Sequence, residues 1–75
     1  MVVRVIVRDY ETWKTCEMEL DRTNYASEII KNLVDYWDKE GQYVLRFGPY
    51  YIYGKVPVLD YNIHDGDIIE LVKVG

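Results

Sequence analysis

From Val2 to Arg8 the chain alternates, with Val3, Val5 and Val7 on one face and Arg4, Ile6 and Arg8 on the other. That pattern predicts a strand with one buried side and one mixed, water-facing side. Asp9-Tyr10-Glu11 reads as the reversal. The alternation resumes from Trp13 to Leu20, where Cys16, Met18 and Leu20 share one face and Thr15, Glu17 and Glu19 the other. Two such runs joined by a short polar stretch predict an antiparallel hairpin.

The period then changes. Asp21-Arg22-Thr23-Asn24 offers helix caps, with Thr23 or Asn24 best placed. Ala26, Ile29, Ile30, Leu33, Val34 and Trp37 follow at three- and four-residue spacing, one apolar stripe on a helix of about four turns. Glu28, Lys31, Asn32, Asp35 and Lys39 are assigned to the outer face, where Lys31/Asp35 and Asp35/Lys39 stand one turn apart. Gly41 is the expected stop, since glycine accepts the left-handed position after a helix end.

Alternation returns from Gln42 to Phe47, with Tyr43, Leu45 and Phe47 opposite Val44 and Arg46. Gly48-Pro49 ends or bends that strand, because proline donates nothing to a ladder. Tyr50-Tyr51-Ile52-Tyr53 has strand propensity, and Gly54-Lys55 closes it. Val56-Pro57-Val58 is extended, Leu59 and Ile63 plug inward, and Asp65-Gly66-Asp67 turns the chain. The closing run Ile68 to Val74 is apolar enough to be paired on both sides. One helix on a mixed sheet of four to five strands, with the first and last strands parallel in the middle, is an α+β β-grasp.

Composition narrows the function. Seventy-five residues make one domain, 1–75, with a net charge of −4. That balance argues against nucleic acid, whose phosphates call for clustered Lys and Arg. A single cysteine excludes an internal disulfide and a Cys-based zinc site. No apolar run approaches the about 20 residues of a membrane span, and no signal-peptide pattern opens the chain. The expectations are a cytoplasmic protein, a monomer or weak dimer, with no cofactor, no metal and no membrane insertion.

The short motifs resemble ubiquitin. Asp38-Lys39-Glu40-Gly41 is similar to its helix exit, Asp60-Tyr61-Asn62-Ile63 to its approach to the last strand, and Gly54-Lys55 to the turn after its third strand. The resemblance implies a ubiquitin-like fold and gives Tyr61 a structural hydroxyl bond to nearby backbone. Two departures bear on function. The chain ends Lys73-Val74-Gly75 with one glycine, whereas conjugated relatives and sulfur carriers end in two. Arg46 falls near the centre of the face where ubiquitin is apolar, with Arg4, Ile6, Arg8, Val44, Glu70 and Val72 around it. The run Leu59 to Leu71 also resembles the ending of the YukD-like ubiquitin-like proteins of bacterial type VII secretion loci. That likeness implies a non-enzymatic accessory that docks on a larger assembly. The alternative is a modifier or sulfur carrier activated at Gly75.

Candidate chemistry is sparse. His64 beside Asp65 and Asp67 is explained by turn formation, and no later ligands complete a calcium loop. Cys16 faces inward as an inert core residue, and Trp37 closes the helix stripe. Trp13 is either core cover or a partner contact. No nucleophile, base and oxyanion set is visible, which predicts no enzyme. Two surfaces remain for a protein partner. One is the sheet face of Arg4, Ile6, Arg8, Val44, Arg46 and Val72. The other is the tyrosine run of Tyr50, Tyr51 and Tyr53, where alternation leaves one or two rings exposed. Pairing with Glu17, Glu19 and Glu70 would also account for the arginines.

Overall fold

The computed structural model describes all of residues 1–75. β1 (Val3–Asp9) and β2 (Thr15–Leu20) form the expected hairpin, running from Val3 opposite Leu20 to Arg8 opposite Thr15. α1 (Ala26–Tyr36) follows, then β3 (Tyr43–Phe47), β4 (Tyr50–Ile52), a 3-10 turn at Val58–Tyr61 and β5 (Ile68–Lys73). The sheet order is β2-β1-β5-β3-β4. β5 is central, parallel to β1 and antiparallel to β3. A parallel pair needs a crossover between its strands, and α1 lies in the segment that makes it.

The core consists of 13 buried apolar side chains, among them Val5, Val7, Leu20, Leu33, Leu45, Ile69 and Leu71. Alternation along β1, β3 and β5 delivers these from the sheet, and Ala26, Ile29 and Leu33 meet them from the helix. Ile63 plugs inward as expected, but the fully buried partner in that loop is Val58, with Leu59 only half-buried. Cys16 is half-buried rather than core. It faces inward from an edge strand, while α1 lies closest over β3.

The helix differs from its predicted limits at both ends. Tyr25, not Thr23 or Asn24, is the cap residue. Its N–H donates to Glu28 Oε1 at 3.3 Å. The next donors are met by a distant loop, Ala26 N–H by the Val56 carbonyl at 2.8 Å and Ser27 N–H by the Gly54 carbonyl at 2.9 Å. At the other end the helix stops at Tyr36, about three turns long. Asp38 takes the left-handed position (φ 52°) ahead of Gly41. Asp38 N–H then reaches the Asp35 carbonyl at 3.3 Å and Lys39 N–H the Val34 carbonyl at 2.9 Å, a Schellman closure.

That early stop redirects Lys39. It leaves the outer face, makes no pair with Asp35, and turns inward to Asp9 and Glu11 at 2.8 Å each. Lys31 and Asp35 form no ion pair either. Asp9 belongs to β1 and is buried, so the reversal lies one residue later, from Tyr10. The Tyr61 hydroxyl makes no hydrogen bond; its ring packs on Tyr50 with centroids 5.6 Å apart. The Asp65-Gly66-Asp67 turn forms as read. Gly66 sits at φ 87°, Asp67 Oδ2 accepts the His64 N–H at 2.9 Å, and Asp65 Oδ1 accepts the Arg4 N–H at 2.9 Å.

Candidate functional site on the open sheet face

α1 covers one face of the sheet and leaves the other open. Register places one row straight across it: Thr15 beside Arg8, Arg8 beside Glu70, Glu70 beside Arg46, and Arg46 beside Tyr51. Glu70 is the hinge of that row. Its carboxylate accepts Arg8 Nη2 at 2.8 Å and Arg46 Nε at 3.1 Å, and also meets Arg46 Nη2. The guanidinium of Arg46, then that of Arg8, holds the Glu70 carboxyl below its ordinary value of 4.5. In return, Glu70 and then the Tyr51 hydroxyl raise the Arg46 pKa. Arg8 Nε is buried without a partner.

Two rings from the β1–β2 turn fold over the arginines. Arg8 Cζ lies 4.6 Å from the Trp13 ring centroid, and Arg46 Cζ lies 5.4 Å from that of Tyr10. The two rings are themselves 6.2 Å apart. Trp13 is 61 % exposed and its backbone is left-handed at φ 66°, a conformation uncommon for a bulky residue. The turn is held there from below. Trp13 N–H donates to the Asp9 carbonyl at 2.7 Å, Asp9 N–H to the Lys14 carbonyl at 2.8 Å, and Tyr10 N–H to the Leu71 carbonyl at 3.0 Å.

Beneath the turn, the Asp9 side chain completes the anchorage. It accepts the Glu11 N–H at 3.0 Å and the Thr12 hydroxyl at 2.7 Å, besides Lys39 Nζ. Burial pushes the Asp9 pKa up, but the bonds from Lys39, Thr12 and Glu11 outweigh it and leave the carboxyl below its usual range. Glu11 is lowered by hydrogen bonds from Lys39 and then Tyr43, whose hydroxyl donates to Glu11 Oε1 at 2.7 Å. Burial opposes the Lys39 charge, yet its two carboxylate partners raise its pKa on balance.

The structure sorts the sequence-predicted residues. Arg4, Ile6, Arg8, Val44, Arg46 and Val72 share the open face, where Val44 lies beside Val72 and Ile6 beside Ile68. All three arginines are paired with glutamates, Arg4 with Glu19 at 3.4 Å and the others with Glu70. The centre is therefore two arginines sharing one carboxylate, with one positive charge left over, rather than a bare cation. The tyrosine run divides. Tyr51 joins the open face beside Arg46, Tyr53 lies exposed past the end of β4, and Tyr50 turns to the other side against Tyr61. Sequence reasoning missed Tyr10 as a surface ring, and it missed the Asp9–Lys39 anchor. No linear signal marks either, because both depend on how turn, helix end and strand meet.

Elsewhere, no three His, Cys, Asp or Glu side chains converge to hold a metal ion. No helix is long and apolar enough to cross a membrane.

No protein-family profile matches this chain, and no curated protein sequence does. Solved structures do match by shape. The ubiquitin-like (UBL) domain of Plasmodium falciparum Dsk2 superposes with a TM-score of 0.80 at 17% identity, over 99% of this chain and 100% of that one. A chain from a structure described as "Molecular Mimicry of SUMO promotes DNA repair" gives a TM-score of 0.76 at 12% identity, covering 95% of this chain and 90% of that one. The fold is therefore the ubiquitin-like β-grasp.

Proposed function

We propose that this chain is a non-enzymatic ubiquitin-like binding module that docks a protein partner through the open sheet face. The observation that carries the reading is the pair of exposed rings, Tyr10 and Trp13, each over an arginine that is bonded to Glu70. A partner covering the row would find both arginines already bonded to Glu70 and would have one remaining positive charge to meet, which a single carboxylate of its own supplies. Aromatic rings and arginines are the residue types that dominate binding at interface centres. Trp13 strengthens the reading, since a strained backbone holds its ring over Arg8 while most of the side chain stays exposed. Tyr51 and Tyr53 extend the same surface, with Val44 and Val72 as its apolar floor. Arg4 and Ile6 form the opposite margin, and Tyr50 lies outside it.

The finer assignment is a cytoplasmic accessory of a larger assembly such as a type VII secretion system. It is supported by the resemblance of Leu59 to Leu71 to the ending of that group and by the ubiquitin-like fold. The test is affinity capture from the source cells with wild type, R46E and W13A, each first checked for cooperative thermal unfolding, R46E melting lower because it sets a second carboxylate beside Glu70. A stoichiometric protein held by wild type and lost from both variants supports the face. Retention by both variants removes it. A captured protein that belongs to no secretion apparatus removes the finer assignment and leaves the face intact.

A further inference from the structure

β4 covers only part of β3. Leu45, Arg46 and Phe47 pair with Ile52, Tyr51 and Tyr50, and the chain then leaves the sheet. The remaining end of β3 has a free edge. Val74 N–H donates to the Gln42 carbonyl at 2.9 Å, and the register continues as Val44 opposite Val72. In an antiparallel ladder that phase turns the backbone of residues 42, 44 and 46 toward β5. Tyr43 therefore aims its own N–H and C=O outward, where no strand lies. An unpaired edge of this kind is a template for an added strand.

A groove of about 1210 Å³ opens along that edge. Ile30 and Val34 of α1 form one wall, Tyr43 and Val44 the other, and Lys31 and Lys73 also line it. Both lysines are exposed and neither makes an ion pair. Of the other charges along the groove, Arg46 is bonded to Glu70, and Glu11 is bonded to Lys39, which it shares with Asp9. In a chain of net charge −4, the groove thus presents two exposed lysines free of ion pairs beside an apolar wall, with Glu11 acting on Lys73 through space only.

We propose that this groove binds an extended peptide segment that adds a short strand at Tyr43. The segment would place one large apolar side chain against Ile30 and Val34 and adjacent carboxylates against Lys31 and Lys73. Main-chain bonds to Tyr43 supply affinity, and the apolar wall and the lysines supply selectivity. The groove borders the open face and shares Val44, Arg46 and Tyr51 with it, but the strand would add at the Tyr43 edge, and the proposal stands whether or not the Arg8–Glu70–Arg46 row binds anything.

The experiment titrates the isotope-labelled protein with the synthetic peptide Gly-Ser-Leu-Phe-Val-Glu-Asp-Glu-Gly and follows backbone amides by NMR. The expected result is a shift at Ile30, Lys31 and Tyr43, with the Tyr43 amide becoming protected from hydrogen exchange. The K31E/K73E variant, which breaks no ion pair, should keep its dispersed spectrum and bind about ten-fold more weakly or worse. A peptide with Gln and Asn in place of its acids should weaken similarly. No shift at about 1 mM peptide, shifts confined to Thr15–Leu20 or to the Arg8–Glu70–Arg46 row, or equal binding by K31E/K73E would overturn the proposal.

Discussion

Lys39 Nζ lies 2.8 Å from Asp9 Oδ2, with the lysine side chain 8% and the aspartate 1% exposed. The contact ties the exit of α1 to the end of β1, and through Asp9 it holds the turn that carries Tyr10 and Trp13. A surface pair would be worth little, but a buried one punishes the loss of one partner.

K39M is expected to destabilise the protein by about 2–4 kcal/mol, at the lower end for a buried pair because Thr12 and the Glu11 N–H still serve Asp9. That is a large share of the roughly 4–11 kcal/mol available to a domain of this length. Adding D9N removes the stranded charge and should restore most of the loss. Urea unfolding of the two single variants and the double variant measures both effects. A double variant as unstable as the sum of the singles contradicts the pairing.

Glu70 makes stability depend on acid. Its folded pKa is depressed by Arg46 and Arg8, so its contribution is complete above its ordinary value of 4.5 and is lost as pH falls through the depressed value. E70Q should be less stable than wild type at neutral pH, and the gap should close on acidification below 4.5. Thermal unfolding of both proteins across that range is the measurement. A gap that stays constant with pH would assign the cost to shape rather than charge.

Trp13 separates binding from folding. W13G relieves the left-handed backbone and forfeits the exposed stacking on Arg8, two effects of about 1 kcal/mol each and opposite sign. Its unfolding midpoint should stay close to that of wild type. Its affinity for the captured partner should fall about 30-fold or more, the scale of an interface hot spot. Calorimetric unfolding and titration of the same samples decide the matter.

Asp38 occupies a position that favours glycine. At φ 52° just past the helix it makes no side-chain hydrogen bond or ion pair, and its charge sits at the negative end of the helix dipole. D38G should stabilise the protein by about 0.5–1 kcal/mol, visible as a higher urea midpoint with an unchanged slope.

Much of this molecule follows from local pattern. Alternation at Val3–Val7 and Tyr43–Phe47, the stripe Ala26–Trp37 and the glycine of Asp65-Gly66-Asp67 each reflect a period or a backbone preference that acts over a few residues. The elements, the buried faces and the central place of β5 were therefore legible from the sequence alone. The helix ends were less so, because donors near the start are satisfied by Gly54 and Val56 from a distant loop, and Asp38 rather than Gly41 makes the left-handed stop. The site was decided by tertiary structure. Arg8 and Glu70 are 62 positions apart and Arg46 and Glu70 are 24 apart, so only strand register makes them one row. Lys39 reads as a solvated helix residue until the helix stops early and turns it onto a buried Asp9. Tyr10 and Trp13 become a paired aromatic surface only because that anchor fixes the turn beneath them. Periodicity chooses which side chains face inward; distances between remote charges exist only once the chain has closed on itself.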